Sequence, residues 1–262
     1  MNKVMIGVPT LEMARRADFY DYINMIDKDI PDTTVIMSFA HGQSPARNRN
    51  TMIDIALKND CSHILFIDDD CVPRPDILKQ LLSHNKDIVT GLYLMRSHPH
   101  LPILFDESFT NGACRFSVLR PGLKGLVQVK NTGLGAVLIK TDVFRKMSDD
   151  LPWVRLGQCE KDHWCDDIDF FNRARDLYKY EIWCDLECPV GHMLSATIFP
   201  MRKPDGTWVT AATFDQKNVF ELPQHVPSLE EVDAEVAKQG VTIGSPFAEP
   251  AMSGGQQFRD MK

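Results

Sequence analysis

The chain has 262 residues, 44% hydrophobic and 25% charged, which excludes a disordered or fibrous protein and is enough for one large domain with a sizeable core. Lys plus Arg number 29 against 36 Asp plus Glu, and the resulting charge of −7 weighs against a duplex nucleic-acid binder. Seven cysteines, odd in number and irregularly spaced, fit a reducing compartment better than a disulfide framework.

In chain order, Val4–Val8 reads as a first strand broken by Pro9-Thr10, and it is too short for the apolar region of a signal peptide. No apolar run approaches membrane-spanning length, so a cytoplasmic location is expected, that of the host if the protein is viral. Met13, Ala17, Tyr20 and Ile23 fall at helical spacing, and the β-branched stretch Thr33–Phe39 predicts a second strand. Ser44-Pro45 is a helix start, with Ser as N-cap and Pro at the first helical position, and Ala46, Asn50, Ile53 and Leu57 then share a face. Ile64–Ile67 is a third, wholly apolar strand. Ile77, Leu78, Leu81 and Leu82 mark a helix and Ile88–Leu94 a strand. This alternation predicts a mostly parallel sheet with helices on both faces.

Beyond Arg96 the rhythm changes to hairpins and loops as far as Lys130. Gly135–Lys140 predicts a strand, Thr141-Asp142 the cap of a short helix ending near Met147, and Pro152–Trp164 a polar, aromatic loop. A helix opens at Asp166-Asp167, Tyr180–Cys184 follows as a strand, and Pro189–His192 as a turn or strand end. From about Phe220 the pattern thins. Ser228 with Glu231 forms a capping box for one charged helix ending at Gly240, and the last twenty residues look loosely ordered.

Chemistry points first to the end of the third strand. Ile64–Ile67 runs into Asp68, Asp69 and Asp70, and then Pro73 and Pro75. Three adjacent carboxylates repel one another, and a helix cap near Asp76 needs one of them at most. A hard divalent cation held by oxygen ligands relieves the repulsion, and the carboxyl end of a sheet strand is where α/β proteins place ligands. Asp166 and Asp167 sit at a helix N-terminus, whose positive dipole end keeps carboxylates ionised and able to accept a proton; first-turn acids that only stabilise the helix are the plain alternative. Arg47, Asn48 and Arg49 stand near another helix start, suited either to an anion or to a solvated basic patch. Trp164 fits stacking on a sugar or base, or a buried anchor. Cys159, His163, Cys165, Cys184, Cys188 and His192 cluster late in the chain, but none has the tight spacing of a zinc ribbon, and buried free thiols are the default.

The order of these features resembles the GT-A fold glycosyltransferases, enzymes that use nucleotide sugars. The resemblance is carried by Ile6-Gly7-Val8-Pro9-Thr10, Ala46-Arg47-Asn48-Arg49-Asn50, Phe66-Ile67-Asp68-Asp69-Asp70 in the place of a DxD motif, Gly91-Leu92-Tyr93, Gly133–Ile139, Trp164–Phe170 and Gly191-His192. It implies a Rossmann-like, mostly parallel twisted sheet with helices on both faces and a small antiparallel portion on the acceptor side. The catalytic domain would span residues 1–219, with a nucleotide-sugar half over about 1–96 and an acceptor half over about 97–219. Residues 220–262 would form a helical extension and tail.

The resemblance also implies roles. Asp70 would contact a Mn²⁺ (or Mg²⁺) directly, Asp68 would reach the metal or the ribose, and His192 would complete the metal site. Pro9, Thr10, Arg47, Asn48, Asp68 and Asp69 would meet the nucleoside diphosphate sugar. Asp167 would be the base and Asp166 would hydrogen-bond the acceptor beside Trp164, with inversion at the anomeric carbon. The acceptor is open among glycan, lipid, protein and hydroxymethylated viral DNA. Two other classes fit parts of the pattern: a haloacid-dehalogenase-like phosphohydrolase with Asp68 as nucleophile and Asp70 as acid/base, and a non-catalytic nucleotide- or glycan-binding module of the same fold.

Overall fold

A computed structural model describes residues 2–10, 17–96, 100–108, 114–117, 119, 122–155, 166–193, 197–213 and 220–221. The chain begins β1 (Asn2–Pro9), α1 (Ala17–Met25), β2 (Thr33–Ala40), α2 (Pro45–Lys58), β3 (His63–Ile67), β4 (Cys71–Val72), α3 (Ile77–Ser83) and β5 (Ile88–Leu92). It continues with β6 (Leu104–Ser108), β7 (Cys114–Phe116), β8 (Leu126–Val129), β9 (Asn131–Thr132), β10 (Ala136–Lys140), α4 (Thr141–Lys146) and α5 (Asp166–Asp176). The last elements are β11 (Ile182–Pro189), β12 (Gly191–Met193), β13 (Thr197–Arg202), β14 (Trp208–Thr213) and β15 (Phe220–Glu221).

The central sheet has seven strands in the order β2-β1-β3-β10-β5-β11-β8, all running one way except β10 and β8. This is the mostly parallel, Rossmann-like α/β architecture expected of the chain. β3 is an interior strand, between β1 and β10, and all five of its residues are buried, as a continuous apolar run requires. Alternation along the strand divides the core: Ile64 and Phe66 pack on the face covered by α2, α4 and α5, while Leu65 and Ile67 pack with α1 and α3. Each such buried side chain contributes about 1.5–3 kcal/mol relative to exposure.

α2 starts where the sequence places it: Ser44 caps it by accepting from the Arg47 N–H at 3.4 Å, and Pro45 fills the first turn. The start of α4 differs. Thr141 is already helical, with Lys140 in the cap position, because the buried Thr141 hydroxyl donates instead to the Cys61 carbonyl at 2.6 Å. Asp76 occupies the cap position of α3 without making a side-chain cap bond and instead pairs with Arg74 at 2.7 Å. β11 begins later and runs further than Tyr180–Cys184, crossing an irregularity between Asp185 and Pro189 before β12 leaves the main sheet.

A second, five-stranded sheet in the order β15-β14-β13-β12-β4 is antiparallel throughout, where the resemblance implies a small antiparallel portion without giving its strands. It joins the short β4, just past the three acids, to β12, and His192 pairs with Cys71 in its register. Phe220 and Glu221, expected to open the extension, add an edge strand to this sheet. A three-stranded sheet, β7-β6-β9, accounts for part of the Ser97–Lys130 region. The Ser228–Gly240 helix lies outside the described residues. Among the described residues no helix is long and apolar enough to cross a membrane.

α5 is fixed by a buried arginine. Arg173 bonds Asp169 at 2.8 Å, Asp150 at 2.9 Å and the Trp153 carbonyl at 2.5 Å, so the loop after α4 is tied to the helix that carries Asp166 and Asp167. Burial pushes the Asp150 carboxyl up, but hydrogen bonds and charges from Arg173 and Arg155 outweigh it and hold the group below the usual carboxylate value of 3.8. A depressed acid contributes stability above its unfolded pKa and loses it as pH falls through the folded value. Asp150→Asn is therefore expected to lower stability by about 1–2 kcal/mol at pH 7. Urea unfolding should show that deficit closing below pH 3.8; a deficit unchanged at acid pH would mean that packing, not charge, is responsible.

Candidate active site

The carboxyl ends of β1, β3 and β5 open on one side of the sheet, the usual ligand-binding edge of an α/β domain. β10 runs against them, so its amino-terminal approach, Gly133 to Gly135, arrives at the same edge. The Asp68 N–H donates to the Gly135 carbonyl at 2.9 Å, which fastens the acidic turn to that approach. Space there depends on missing side chains. A Cβ on Gly135 would lie 3.1 Å from Asp68 Oδ2, and one on Gly133 would collide with Tyr93 Oη and lie 3.3 Å from Asp167 Oδ2. Asp68 and Asp167, ninety-nine positions apart in the chain, thus border the same Gly133–Gly135 floor.

Arg49 joins the two acidic elements. It is 4% exposed, and its guanidinium bonds Asp68 Oδ1 at 2.6 Å and Asp166 Oδ2 at 2.9 Å. Burial alone would lower its pKa, but Asp68, Asp166 and Asp167 outweigh that and raise it. Burial pushes the Asp68 carboxyl above the ordinary range; Asp70 and Asp166 add to the rise and Arg49 opposes it. Arg49 is therefore neither part of a solvated basic patch nor open to an anion, the two uses its sequence position suggests. It lies three positions after Ala46 and four before Ile53, on the buried face of α2, and that spacing is the signal that could have found it.

Its neighbours behave otherwise. Arg47 is exposed. The buried Asn48 amide donates to the carbonyls of Thr10 at 2.9 Å and Gln43 at 3.2 Å, so it anchors the end of β1 to the start of α2 rather than facing the cleft with a free amide. Pro9 is buried and Thr10 half-buried at that end of β1. Asp69 is buried beside the cleft acids. Trp164 lies outside the described residues, as do Cys159, His163 and Cys165.

Asp70 and His192 form the corner between the two sheets. His192 Nδ1 is 2.7 Å from the Leu94 carbonyl, which can only accept, so Nδ1 carries a proton. In the neutral ring Nε2 then presents its lone pair, and it faces Asp70 Oδ1 at 3.5 Å. A divalent ion between them would take one lone pair from each. Neighbouring ligands at about 2.1 Å from an ion lie about 3.0–3.4 Å apart, close to this gap. The backbone carbonyl behind the ring is also the usual orienting partner of a metal-bound histidine. The donor set therefore fits a divalent ion. Cys71 is near enough to both to be a third candidate. Burial, with Asp70 and Asp68, pushes its thiol well up, and sulfur is a softer ligand than a hard ion prefers. Tyr93 backs the corner: its ring meets His192 edge-on at 5.8 Å and its hydroxyl accepts from the Gly135 N–H at 3.0 Å. Among the described residues this is the one group of ligand atoms close enough to hold an ion, and Cys184 and Cys188 are buried free thiols.

No protein-family model matches the chain, and no curated protein does. Among solved structures, the crystal structure of A197 from STIV aligns over 87% of this chain and 97% of its own, at 18% identity and a TM-score of 0.53. S. aureus TarS 1–349 aligns over 71% of this chain and 58% of its own, at 15% identity and a TM-score of 0.38. CMP:2-keto-3-deoxy-manno-octonic acid synthetase, complexed with CTP, covers 70% and 89%, at 12% identity and a TM-score of 0.39. The last two likenesses are too distant to carry an argument, and the first speaks to the fold alone: this chain shares its α/β architecture with A197.

Proposed function

We propose that the protein is a metal-dependent glycosyltransferase, moving a sugar from a nucleoside diphosphate sugar to an acceptor hydroxyl. One observation carries this reading: the Asp70–His192 corner and a pair of helix-start acids (Asp166 and Asp167) lie at the same edge of the sheet, joined through Asp68 and Arg49. A divalent ion bound at the corner would supply Lewis-acid stabilisation of the departing diphosphate. The chain's own groups do the rest. Asp167, beside the glycine floor, takes the proton of the acceptor hydroxyl. Asp166, held at one oxygen by Arg49, offers the other to the acceptor. A base on the side opposite the leaving group gives inversion at the anomeric carbon. The position of Pro9 and Thr10 at the end of β1 suits contact with the nucleobase.

Asp68 would be the nucleophile of a phosphohydrolase, but one of its oxygens is committed to Arg49 at 2.6 Å, and no observation favours that class. The test is release of nucleoside diphosphate from UDP-, GDP- and other nucleotide sugars, with and without Mn²⁺, beside release of phosphate from generic phosphomonoesters. Manganese-dependent release from one nucleotide sugar is expected. Phosphomonoester turnover abolished by Asp68→Asn would sink the transferase reading.

A further inference from the structure

The Asp70 carboxylate is shared. One oxygen faces His192, and the other is 3.0 Å from Nη1 of Arg96, whose side chain is 54% exposed beyond the end of β5. Arg96 therefore has room to move, whereas Arg49 is buried and doubly bonded. Arg49 pairs with Asp68 and Asp166, and Arg96 with Asp70. An arginine on Asp70 and a divalent ion at the same carboxylate compete for the same lone pairs, and their like charges repel.

We infer that Arg96 is a diphosphate-binding residue that occupies Asp70 until a metal-bound diphosphate draws it away. The inference rests on the cation reading of the Asp70–His192 corner. Before ligand arrives, the guanidinium neutralises Asp70 and limits occupation by a bare ion. When an ion arrives with a diphosphate, the ion takes over Asp70 while the added phosphate charge offers Arg96 a planar, bidentate partner within reach of its flexible stem. The residue therefore acts in opposite directions on the ion alone and on the ion with its anion. An ordinary surface ion pair would not do this, and neither would a residue that only holds the loop.

The experiment titrates the full chain with MnCl₂, following the free-ion signal by electron paramagnetic resonance, without and with inorganic pyrophosphate, in wild type, Arg96→Gln and Arg96→Lys. For Arg96→Gln, affinity for Mn²⁺ alone should rise about fivefold, the effect of removing a half-exposed ion pair. Affinity for pyrophosphate in the presence of Mn²⁺ should fall about tenfold, the effect of removing one charge-assisted hydrogen bond. Arg96→Lys, which keeps the charge but not the fork, should restore the first and only part of the second. Equal shifts of one sign in both titrations, or none, overturn the inference while leaving the cation site standing. Absence of manganese binding in wild type and in both variants overturns the cation reading and this inference together.

Discussion

Asp70→Asn is expected to lower metal-dependent turnover by about a thousandfold, the effect associated with removing one preorganised group that stabilises developing negative charge. The amide keeps the shape of the side chain but removes the anion that an ion between Asp70 and His192 needs. Asp70 is partly exposed, so the fold loses little, and the melting temperature of the free protein should move by less than about 2 °C. His192→Ala should show the same pattern, and the double variant should be little worse than either single one, because two ligands of one ion act as a unit. The measurements are nucleoside diphosphate release and Mn²⁺ binding on the same preparations. Full activity in Asp70→Asn, or additive losses in the double variant, would separate these residues and remove the corner as a metal site.

The largest stability effect is expected at Arg49. Arg49→Met keeps much of the stem volume but leaves Asp68 and Asp166 facing each other without their cation. Breaking a buried ion pair from one side costs about 3–5 kcal/mol, or roughly 10 °C in melting temperature for a domain of this size. The deficit should depend on pH. Asp68 already sits above its ordinary value of 3.8, chiefly through burial. Losing Arg49 removes the opposing influence and raises it further. An acid with a raised folded pKa contributes stability below its unfolded value and loses it as pH rises through the folded one. The variant should therefore be closest to wild type near about pH 4 and furthest from it near about pH 8. Adding Asp68→Asn should recover more than about 1 kcal/mol, since the two residues touch. Melting curves of the two variants across that range check the claim; an Arg49→Met protein as stable as wild type at the alkaline end would refute it.

What can be read in advance depends on how local the signal is. β1, β2, α2, β3 and α5 are legible because each is announced by neighbours in the chain: an apolar run, a Ser-Pro cap, an acid pair at a helix start. The placing of Asp68, Asp70 and His192 at one edge follows from strand ends and the resemblance, and the structure brings them together. The strands and order of the small antiparallel sheet are not legible, although the resemblance implies such a portion. β4 is two residues long, and the strands from Gly191 to Glu221 lack the strict alternation that marks a half-buried strand, because their order is set by long-range pairing. Arg96 carries no signal at all, since its partner is twenty-six positions away. Asn48 suits a donor ligand by residue type alone, whereas its amide bonds backbone carbonyls. A polar side chain near a helix start is readily recruited to tie loops, and composition does not distinguish the two uses.

The route of the chain between its two larger sheets bears on how occupancy of the corner would be felt elsewhere. Asp70 leaves the central sheet just ahead of β4, and His192 belongs to β12, which hydrogen-bonds to β4 and β13 and follows the irregular end of β11. An ion gripped by both side chains would therefore act as a rivet across the seam, adding to the two-residue β4, the Met193 N–H to Asp70 carbonyl bond and the His192–Leu94 bond that already hold it. Amide exchange along β12 and β13 should slow when manganese is added without any sugar, giving a mechanical readout of loading that needs no knowledge of the acceptor.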